Sequence, residues 1–415
     1  MERRHPDGIE RKQNQYIAHA TFAVRMTAFR RMKNQISEFL QSRIDAQDFP
    51  SAVYLIAEKG EIVLQDALGF AVVEPEKIEA KIDTIYDLAS LTKPLVTGLL
   101  CAKLIERGEI YLADKIADYF EEFNRNEKRE ITIENLLTHT SGFQAWKPFY
   151  LMHHSSLISE ATYLGLHDER INKFVLEEIS KTPLENPTNT KVVYSDFNFL
   201  ILGFLIEKVY ETDLHNIAIT EIVTRFGLTR TFIGGLDTLR KEIAASEKRN
   251  EYEKRMCVEL GYDVPKYNWR DYQIWGEVHD GNCYFMNGVS GHAGLFSTAE
   301  EIFKIAQQFL ANQTTLLKPE TCDLFRTNFT EGFNEARSVA FQLAETKDST
   351  ASLALSKDSF GHLGFTGTSL WIDPSAERIF ILLTNRTHAR RLPFANINLV
   401  RRKFHEIAAK SIDER

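Results

Sequence analysis

Strands at both ends of the chain and helices between them predict an α/β protein of the α+β type. One antiparallel sheet would be assembled from the two termini and flanked by helices, with an all-helical lobe inserted in the middle. Two observations carry this. Apolar stretches joined by the tight turn Glu58-Lys59-Gly60 form a hairpin near the start, and alternating segments return only after residue 339. The sequence between them has helical periodicity and no repeated strand–helix–strand unit. The expected division is a disordered leader over 1–25 and a single domain over 26–415. Within that domain an α/β lobe takes about 26–100 and 290–415, and a helical lobe with loops takes about 101–289.

In chain order, Met26–Ser42 repeats at helical spacing, and Ser51–Ala57 and Glu61–Val72 are the hairpin strands. Ile82–Ala89 reads as strand and turn, and Leu95–Ile105 is apolar at helical spacing. Leu112–Phe123 and Thr132–Leu137 are short helical pieces. Gln144–Val192 is helical and polar in pattern, with the aromatic cluster Trp146–Tyr150 at its start, and Asp196–Thr212 is an apolar helix. From Gly234 to Tyr284 periodicity weakens into a long excursion with one helix around Lys241–Glu259, and such loops are usually functional. Thr298–Leu310 is a capped helix. Val339–Leu343, Thr368–Ile372 and Arg378–Leu383 alternate as strands, and Leu392–Ser411 closes the chain as a helix.

The 415 residues are 43% hydrophobic and 26% charged, ordinary values for a globular protein. A net charge of −8 argues against nucleic acid or an anionic membrane as partner. No apolar run reaches membrane-spanning length; Phe199–Ile206 stops far short. Cys101, Cys257, Cys283 and Cys322 have no paired spacing and read as inert thiols. Residues 1–33 are basic and polar, with no secretory signal pattern, so the expected compartment is the cytoplasm. This stretch is a leader, or an extension upstream of a start at Met26.

The most informative motif is Ser90-Leu91-Thr92-Lys93 at the head of a helix. Positions i and i+3 share a helix face, so the amine can sit beside the hydroxyl. Serine needs a neighbouring base to become a nucleophile, and lysine is one only if its pKa falls. Alone the tetrapeptide is weak evidence, since a capped helix with a solvated lysine has the same pattern. Two further elements add to it: Tyr194-Ser195-Asp196 ahead of an apolar helix, and Gly361-His362-Leu363-Gly364-Phe365-Thr366-Gly367 ahead of a strand. Ser-x-x-Lys, a middle polar triplet and Lys-Thr-Gly form the signature of penicillin-recognising serine enzymes.

With these motifs in this order the chain resembles the serine β-lactamase and penicillin-binding-protein superfamily. Its nearest branch is that of the class C β-lactamase-related hydrolases, which include esterases, DD-carboxypeptidases and D-aminopeptidases. The resemblance runs from about Ser37 to about Ile407, supported by Leu136–Gly142, Gly276–Asn282, Gly291–Thr298 and Leu383–Arg386. It implies the β-lactamase/transpeptidase-like fold, with the active site in the crevice between lobes.

It also implies roles. Ser90 would be the nucleophile, Lys93 the general base for acylation, and Tyr194 the group that shuttles protons to the leaving group and activates water. Structural alternatives are a helix cap, an ion pair and a buried tyrosine, respectively. Asp196 stands where relatives often carry asparagine; it could hold Lys93 as its ammonium form and make it a poorer base. His362 replaces the cationic lysine of the third motif, which weakens the case for a true β-lactamase. Gly364 would let the strand edge approach substrate, and the N–H groups of Ser90 and Phe365 would form the oxyanion hole. Asn385, Arg386 and Arg390 lie where relatives bind a carboxylate, and structural pairing is the equal alternative. His279, Asp280 and His292 fit no compact zinc spacing, so no metal or other cofactor is expected; His153-His154 reads as a solvated pair.

The expected activity is hydrolysis of a small ester or amide through an acyl-enzyme on Ser90, with a small molecule as the partner and an open oligomeric state. Esterase-like chemistry is favoured over a DD-carboxypeptidase or a weak β-lactamase. A non-catalytic scaffold or filament-forming descendant is the alternative from another class, and the joint presence of Ser90, Lys93 and Tyr194 argues against it.

Overall fold

The computed structural model describes residues 32–152 and 169–413. The expected leader, the first turn of the helix predicted from Met26, and His153-His154 lie outside the described residues. Among the described residues no helix is long and apolar enough to cross a membrane.

The main sheet is built from both ends of the chain, as the alternating segments predict. The hairpin strands β1 (Ser51–Glu58) and β2 (Glu61–Val72) pair in antiparallel register from Ser51↔Gly69 to Glu58↔Glu61. Strand β3 (Ile78–Glu79) extends the β2 edge. On its other side β1 pairs with the C-terminal strand β10 (Arg378–Thr384), followed outward by β9 (Ser369–Asp373), β8 (Phe360–Leu363) and β7 (Gln342–Leu343). The order is therefore β3-β2-β1-β10-β9-β8-β7. Strand β8 was not anticipated: the third motif begins on it, at Gly361, and that glycine hid the alternation.

Both faces of this sheet are covered. Val53, Leu55 and Ala57 enter the larger core, while Ala52, Tyr54 and Ile56 enter a second one. That is why β1 reads as a continuous apolar run rather than an alternation. Helix α1 (residues 32–45) and the C-terminal helix, Asn398–Asp413, pack their apolar stripes on the second face, with Ile36, Leu40 and Phe404 against Tyr54 and Trp371. Each such side chain contributes roughly 1.5–3 kcal/mol by leaving water.

The inserted region carries the helices that reach the site. Lys93–Gly98 forms a π-helical turn that runs into α2 (Leu99–Arg107). Pro94 lies at its start, where its missing N–H leaves nothing unpaired. Helix α3 (Asp196–Tyr210) is buried continuously from Phe197 to Ile206, as a helix apolar on every side must be. The excursion after Gly234 holds α4 (Glu251–Glu259), which is shorter than predicted. The stretch before it is extended, bridging Ile243 to Ile85 and Lys248 to Gln273. Helix α5 (Ala299–Ala306) is capped by Thr298, whose hydroxyl accepts from the Glu301 N–H.

Three further expectations change. A second, three-stranded sheet joins β4 (Tyr86–Asp87), β6 (Leu295–Ser297) and β5 (Phe232–Ile233), strands too short to show alternation. Within Gln144–Val192 the described helical pieces are the turn Phe149–Leu151 and Glu169–Lys181, because Pro148, Pro183 and Pro187 interrupt the pattern. The last helix begins at Asn398 rather than Leu392, its first N–H being taken by Asn396 Oδ1 at 3.1 Å.

One close approach fixes how α3 meets the strand β6 segment. A Cβ on Gly291 would lie 2.0 Å from the Phe199 carbonyl and 2.9 Å from Gly203 Cα, so only glycine fits. Gly291→Ala is expected to destabilise the protein by about 3 kcal/mol, read as a fall in the thermal midpoint. Gly227→Ala, where nothing lies within 4 Å, should cost about 1 kcal/mol. Equal effects would contradict the close approach.

Candidate active site

Ser90 sits on a strained turn. Ala89 before it has φ 47°, a left-handed conformation uncommon for a residue with a Cβ. The strain is held by Asp87, whose Oδ1 accepts the Ala89 N–H at 2.8 Å and whose Oδ2 accepts the His279 N–H at 2.8 Å. Thr92 Oγ1 donates to the Ala89 carbonyl at 2.7 Å. The result presents Ser90 to a cleft of about 540 Å³, among whose lining residues are Tyr194, Asp196, His362 and Phe365.

Lys93 is fully buried, and its three ammonium hydrogens meet three acceptors. These are Ser90 Oγ at 3.0 Å, Asp196 Oδ1 at 2.8 Å and the His292 carbonyl at 3.2 Å. Burial alone would push the lysine pKa down, but the charge of Asp196 and the neighbouring Tyr194 outweigh it and hold it above the ordinary 10.5. Lys93 therefore rests as an ammonium. Asp196 lies 2.8 Å from the ammonium, and the depressed pKa that a resting lysine base requires is not what this geometry produces.

Tyr194 is placed by the phrase Leu136–Gly142. His139 Nδ1 accepts the Ser195 N–H at 3.1 Å and lies 3.1 Å from Asn198 Nδ2, so its proton belongs on Nε2. The Tyr194 hydroxyl is buried and finds no partner among the described residues. Around its ring stand His139 at 4.6 Å and His362 at 5.7 Å between centroids, with Lys93 Nζ 5.0 Å and the Arg337 guanidinium 5.6 Å from the ring centroid.

His362 is neutral. Burial and then the charge of Lys93 and Arg337 push its pKa well below 6.5. Its Nδ1 donates to the Leu363 carbonyl at 2.9 Å, which leaves Nε2 as an acceptor. The third motif thus offers a lone pair where a lysine would offer charge.

The turn after His362 is pinned to the strand before Ser90. Thr366 Oγ1 donates to the Asp87 carbonyl at 2.7 Å and Thr368 Oγ1 to the Leu88 carbonyl at 3.0 Å. A Cβ on Gly364 would meet the Leu88 carbonyl at 2.4 Å and Thr368 Oγ1 at 2.0 Å, so the close approach that requires glycine is to the protein's own backbone. The N–H groups of Ser90 and Phe365 donate to no protein group among the described residues. The Phe365 ring packs on His279, Tyr252 and the Arg386 guanidinium.

Asn385 is a correction. Its Oδ1 accepts from the Ser51 N–H at 3.0 Å and Ser51 Oγ at 2.7 Å, and its Nδ2 donates to the Ala71 carbonyl at 2.9 Å. It ties β1, β2 and β10 together and is absent from the cleft lining, so the structural alternative holds. Arg386 and Arg401 do line the cleft and find no carboxylate partner among the described residues, although each donates to the turn, to Phe365 and to Gly364 and Thr368 respectively.

His279 pairs with Glu247 at 2.8 Å, and His292 with Asp280 at 3.0 Å. Asp196, Asp280 and His292 carry ligand atoms within 4.8 Å of one another, the one such group among the described residues. The Lys93 ammonium, 2.8 Å from Asp196, already supplies a positive charge there, which disfavours a cation. Arg337, Arg401 and Glu253 escaped sequence reasoning. Glu253 is a buried carboxyl raised to about 7 by burial and the charge of Asp280. No spacing signal marks any of the three.

Comparison with known proteins gives a consistent picture. The Beta-lactamase family model matches residues 34–401. A putative D-alanyl-D-alanine carboxypeptidase of Escherichia coli K12 is 30% identical over 375 residues, covering 86% of this chain and 82% of the relative. Similar solved structures include EstCE1, a hydrolase with promiscuous acyltransferase activity, at 18% identity and TM-score 0.66 over 92% of this chain and 99% of that one. A penicillin-binding-protein homologue from Caulobacter crescentus has 18% identity and TM-score 0.66 over 93% and 97%.

Asp196 raises the Lys93 pKa above its unfolded value, so the pair's stabilisation is present in full below pH 10.5 and is lost as pH rises through the folded value. Asp196→Asn should lower stability near pH 7 by about 3 kcal/mol, a gap that narrows only above about pH 10. Urea titrations across pH check this; a gap independent of pH would show that Lys93 is not the linked group.

Proposed function

The chain belongs to the Beta-lactamase family and is a serine hydrolase of the β-lactamase and penicillin-binding-protein superfamily, and from this premise we propose that Ser90, Lys93 and Tyr194 perform its acyl transfer on a small ester or amide. The observation that carries the reading is the Lys93 ammonium lying 3.0 Å from Ser90 Oγ and 2.8 Å from Asp196 at the floor of the cleft.

An ammonium cannot accept a proton until it has given one up. In our reading Lys93 passes one hydrogen to the Asp196 carboxylate as it takes the proton of Ser90 Oγ, and Oγ attacks the acyl carbon. The developing oxyanion meets the N–H groups of Ser90 and Phe365. Tyr194 donates its hydroxyl proton to the leaving group, and the phenolate so formed is stabilised by the adjacent cations Lys93 and Arg337. Water then gives a proton to Tyr194 and attacks the acyl-enzyme. Ser90 departs with the proton held by Lys93 and Asp196, which restores the starting state.

Esterase-like hydrolysis suits a neutral third motif. A carboxypeptidase reading is favoured by a different observation, the cleft arginines Arg386 and Arg401, which find no acid partner among the described residues. The proposed partner in either case is a small molecule. We place the protein in the cytoplasm, a reading supported by four buried cysteines that form no disulfide.

Intact-protein mass spectrometry after incubation with a fluorophosphonate, a short p-nitrophenyl ester or a penicillin tests the mechanism. A single adduct on the wild-type protein, lost in Ser90→Ala, is expected. The reagent turned over fastest separates esterase from penicillin-recognising chemistry, and labelling that persists in Ser90→Ala would refute Ser90 as nucleophile. Tyr194→Phe should slow deacylation by roughly 10²-fold or more, so that acyl-enzyme accumulates. Wild-type turnover in that variant would remove Tyr194 from the mechanism.

A further inference from the structure

Glu253 on α4 is buried and lines the cleft together with Asp280. Its Oε1 accepts the Gly281 N–H at 2.8 Å, and its Oε2 accepts the Tyr150 hydroxyl at 2.9 Å. A Cβ on Gly281 would lie 2.1 Å from Oε2 and 2.8 Å from Tyr150 Cε1, so glycine lets the carboxyl close on the backbone beside Asp280. The Tyr150 hydroxyl also lies 3.5 Å from Cys257 Sγ, in a contact that either group can donate. The buried row Cys257, Tyr150, Glu253 therefore runs in two directions. Around a carboxylate, the thiol donates to the tyrosine and the tyrosine donates to Oε2. Around a carboxylic acid, Oε2 donates to the tyrosine and the tyrosine donates to the sulfur. Neither direction strands a buried hydrogen-bonding group, so a proton enters or leaves without breaking the row.

The charged and titratable groups facing Glu253 come from several elements. Tyr150 belongs to the turn Phe149–Leu151, Cys257 to α4 itself, and Tyr267 and Arg270 to the segment after it. His279 and Asp280 precede the short helix Gly281–Phe285, which carries Tyr284. Burial pushes the Tyr150 and Tyr267 hydroxyls and the Cys257 thiol up, so all three keep their protons at neutral pH. Burial also opposes ionisation of Asp280, but the charge of His292 outweighs it and holds that carboxyl well below its ordinary range. His279 has its pKa lifted above 6.5, against the effect of burial, by its partner Glu247. His279 and Arg270 draw Glu253 down, yet burial first and then the charge of Asp280 raise it to about 7. Within the row, Glu253 is the member that changes charge near neutral pH.

We propose that Glu253 is a positioning residue whose ionisation sets the pH at which Ser90 becomes reactive, acting through Asp280 on the pair Lys93 and Asp196. The proposal rests on the reading of Ser90, Lys93 and Asp196 as an acyl-transfer centre. In that reading the pair takes the Ser90 proton and so gains positive charge, which negative charge nearby favours. Asp280 is the link. Its carboxylate, that of Asp196 and the His292 ring hold atoms within 4.8 Å of one another. His292 in turn donates its ring N–H toward Asp280 at 3.0 Å, and its carbonyl accepts from Lys93 at 3.2 Å. The bond from the Gly281 N–H fixes Glu253 against the residue next to Asp280, so its ionisation places a second negative charge behind the first. Both Glu253 oxygens are already engaged, and it takes no proton from serine or water itself.

The test is the rate at which a fluorophosphonate, which does not itself titrate, labels Ser90 between about pH 5.5 and 8.5, followed by intact-protein mass spectrometry. The wild-type rate should rise about tenfold through a transition near pH 7. Glutamine keeps the shape of the acid and, like it, donates to Tyr150, so E253Q should hold the slow acid-side rate at every pH. Y150F removes a donor that favours the carboxylate, and should move the transition to higher pH. A rise that survives E253Q would overturn the proposal and assign the titration to His279. If circular dichroism shows E253Q unfolded, Y150F decides alone: a midpoint that stays or falls counts against Glu253. The two readings fail differently. An adduct formed at a pH-independent rate strikes the role of Glu253 alone, whereas no adduct at any pH overturns the acyl-transfer centre and that role with it.

Discussion

The buried ammonium of Lys93 is the constraint on which the site depends. A charge with no access to water must find acceptors for all three of its hydrogens, and each acceptor comes from a different part of the chain. One is the strained turn at Ser90, one the first residue of α3 at Asp196, and one the carbonyl of His292 on the segment entering β6. Folding cannot bury Lys93 without bringing these segments into register. A buried ion pair is weak evidence for net stability, but breaking one partner is strongly destabilising, so the pair specifies an arrangement more than it strengthens one. Glycine at 291 belongs to the same constraint, because the His292 carbonyl reaches Lys93 only if its segment touches the backbone of α3 at Gly203.

The same charge sets the protonation of its surroundings. Burial first, and then the nearby charges of Lys93 and Arg337, keep His139 and His362, the two histidines that flank Tyr194, uncharged. Neutrality then fixes the tautomers through the neighbours: His139 accepts at Nδ1, and His362 donates at Nδ1. The cleft wall acquires one donor and one acceptor from two residues of the same type. Positive charge beside Tyr194 thus comes from a lysine below and an arginine alongside, and the third motif contributes hydrogen-bonding geometry in its place.

Much of this was legible in the sequence because it is local. The hairpin Ser51–Val72, the apolar helix starting at Asp196, the Thr298 cap and the C-terminal strands each follow from periodicity and turn chemistry within a short window. The i, i+3 spacing of Ser90 and Lys93 likewise put hydroxyl and amine together before any tertiary contact was known. What escaped is what tertiary packing decides. Strand β8 is stabilised by pairing to β9 rather than by alternation, and the strands of the small sheet are two or three residues long. Asn385 sits in a phrase that the family resemblance links to carboxylate binding, yet its amide is consumed by Ser51 and Ala71. Arg337 has no motif spacing to any catalytic residue, and only burial without a full set of partners distinguishes it from surface arginines.

The geometry around Asp87 explains why the proposed oxyanion donors need no side chain of their own. The Asp87 carboxylate takes the N–H groups of Ala89 and His279, and its carbonyl takes the hydroxyl of Thr366. One residue therefore fixes the strained turn before Ser90, the excursion loop and the turn of the third motif relative to each other. Arg386 and Arg401 hold that last turn from behind through its carbonyls, and while the Gly364 and Gly367 N–H groups donate within the turn to the Thr368 and Gly364 carbonyls, the Phe365 N–H donates to no protein group among the described residues. Donors held apart from their own backbone acceptors stay available for charge that develops in the cleft, with little reorganisation required when it appears. The left-handed conformation of Ala89 is consistent with this: strain at a functional turn persists only where surrounding contacts over-determine it, and here three separate segments do so.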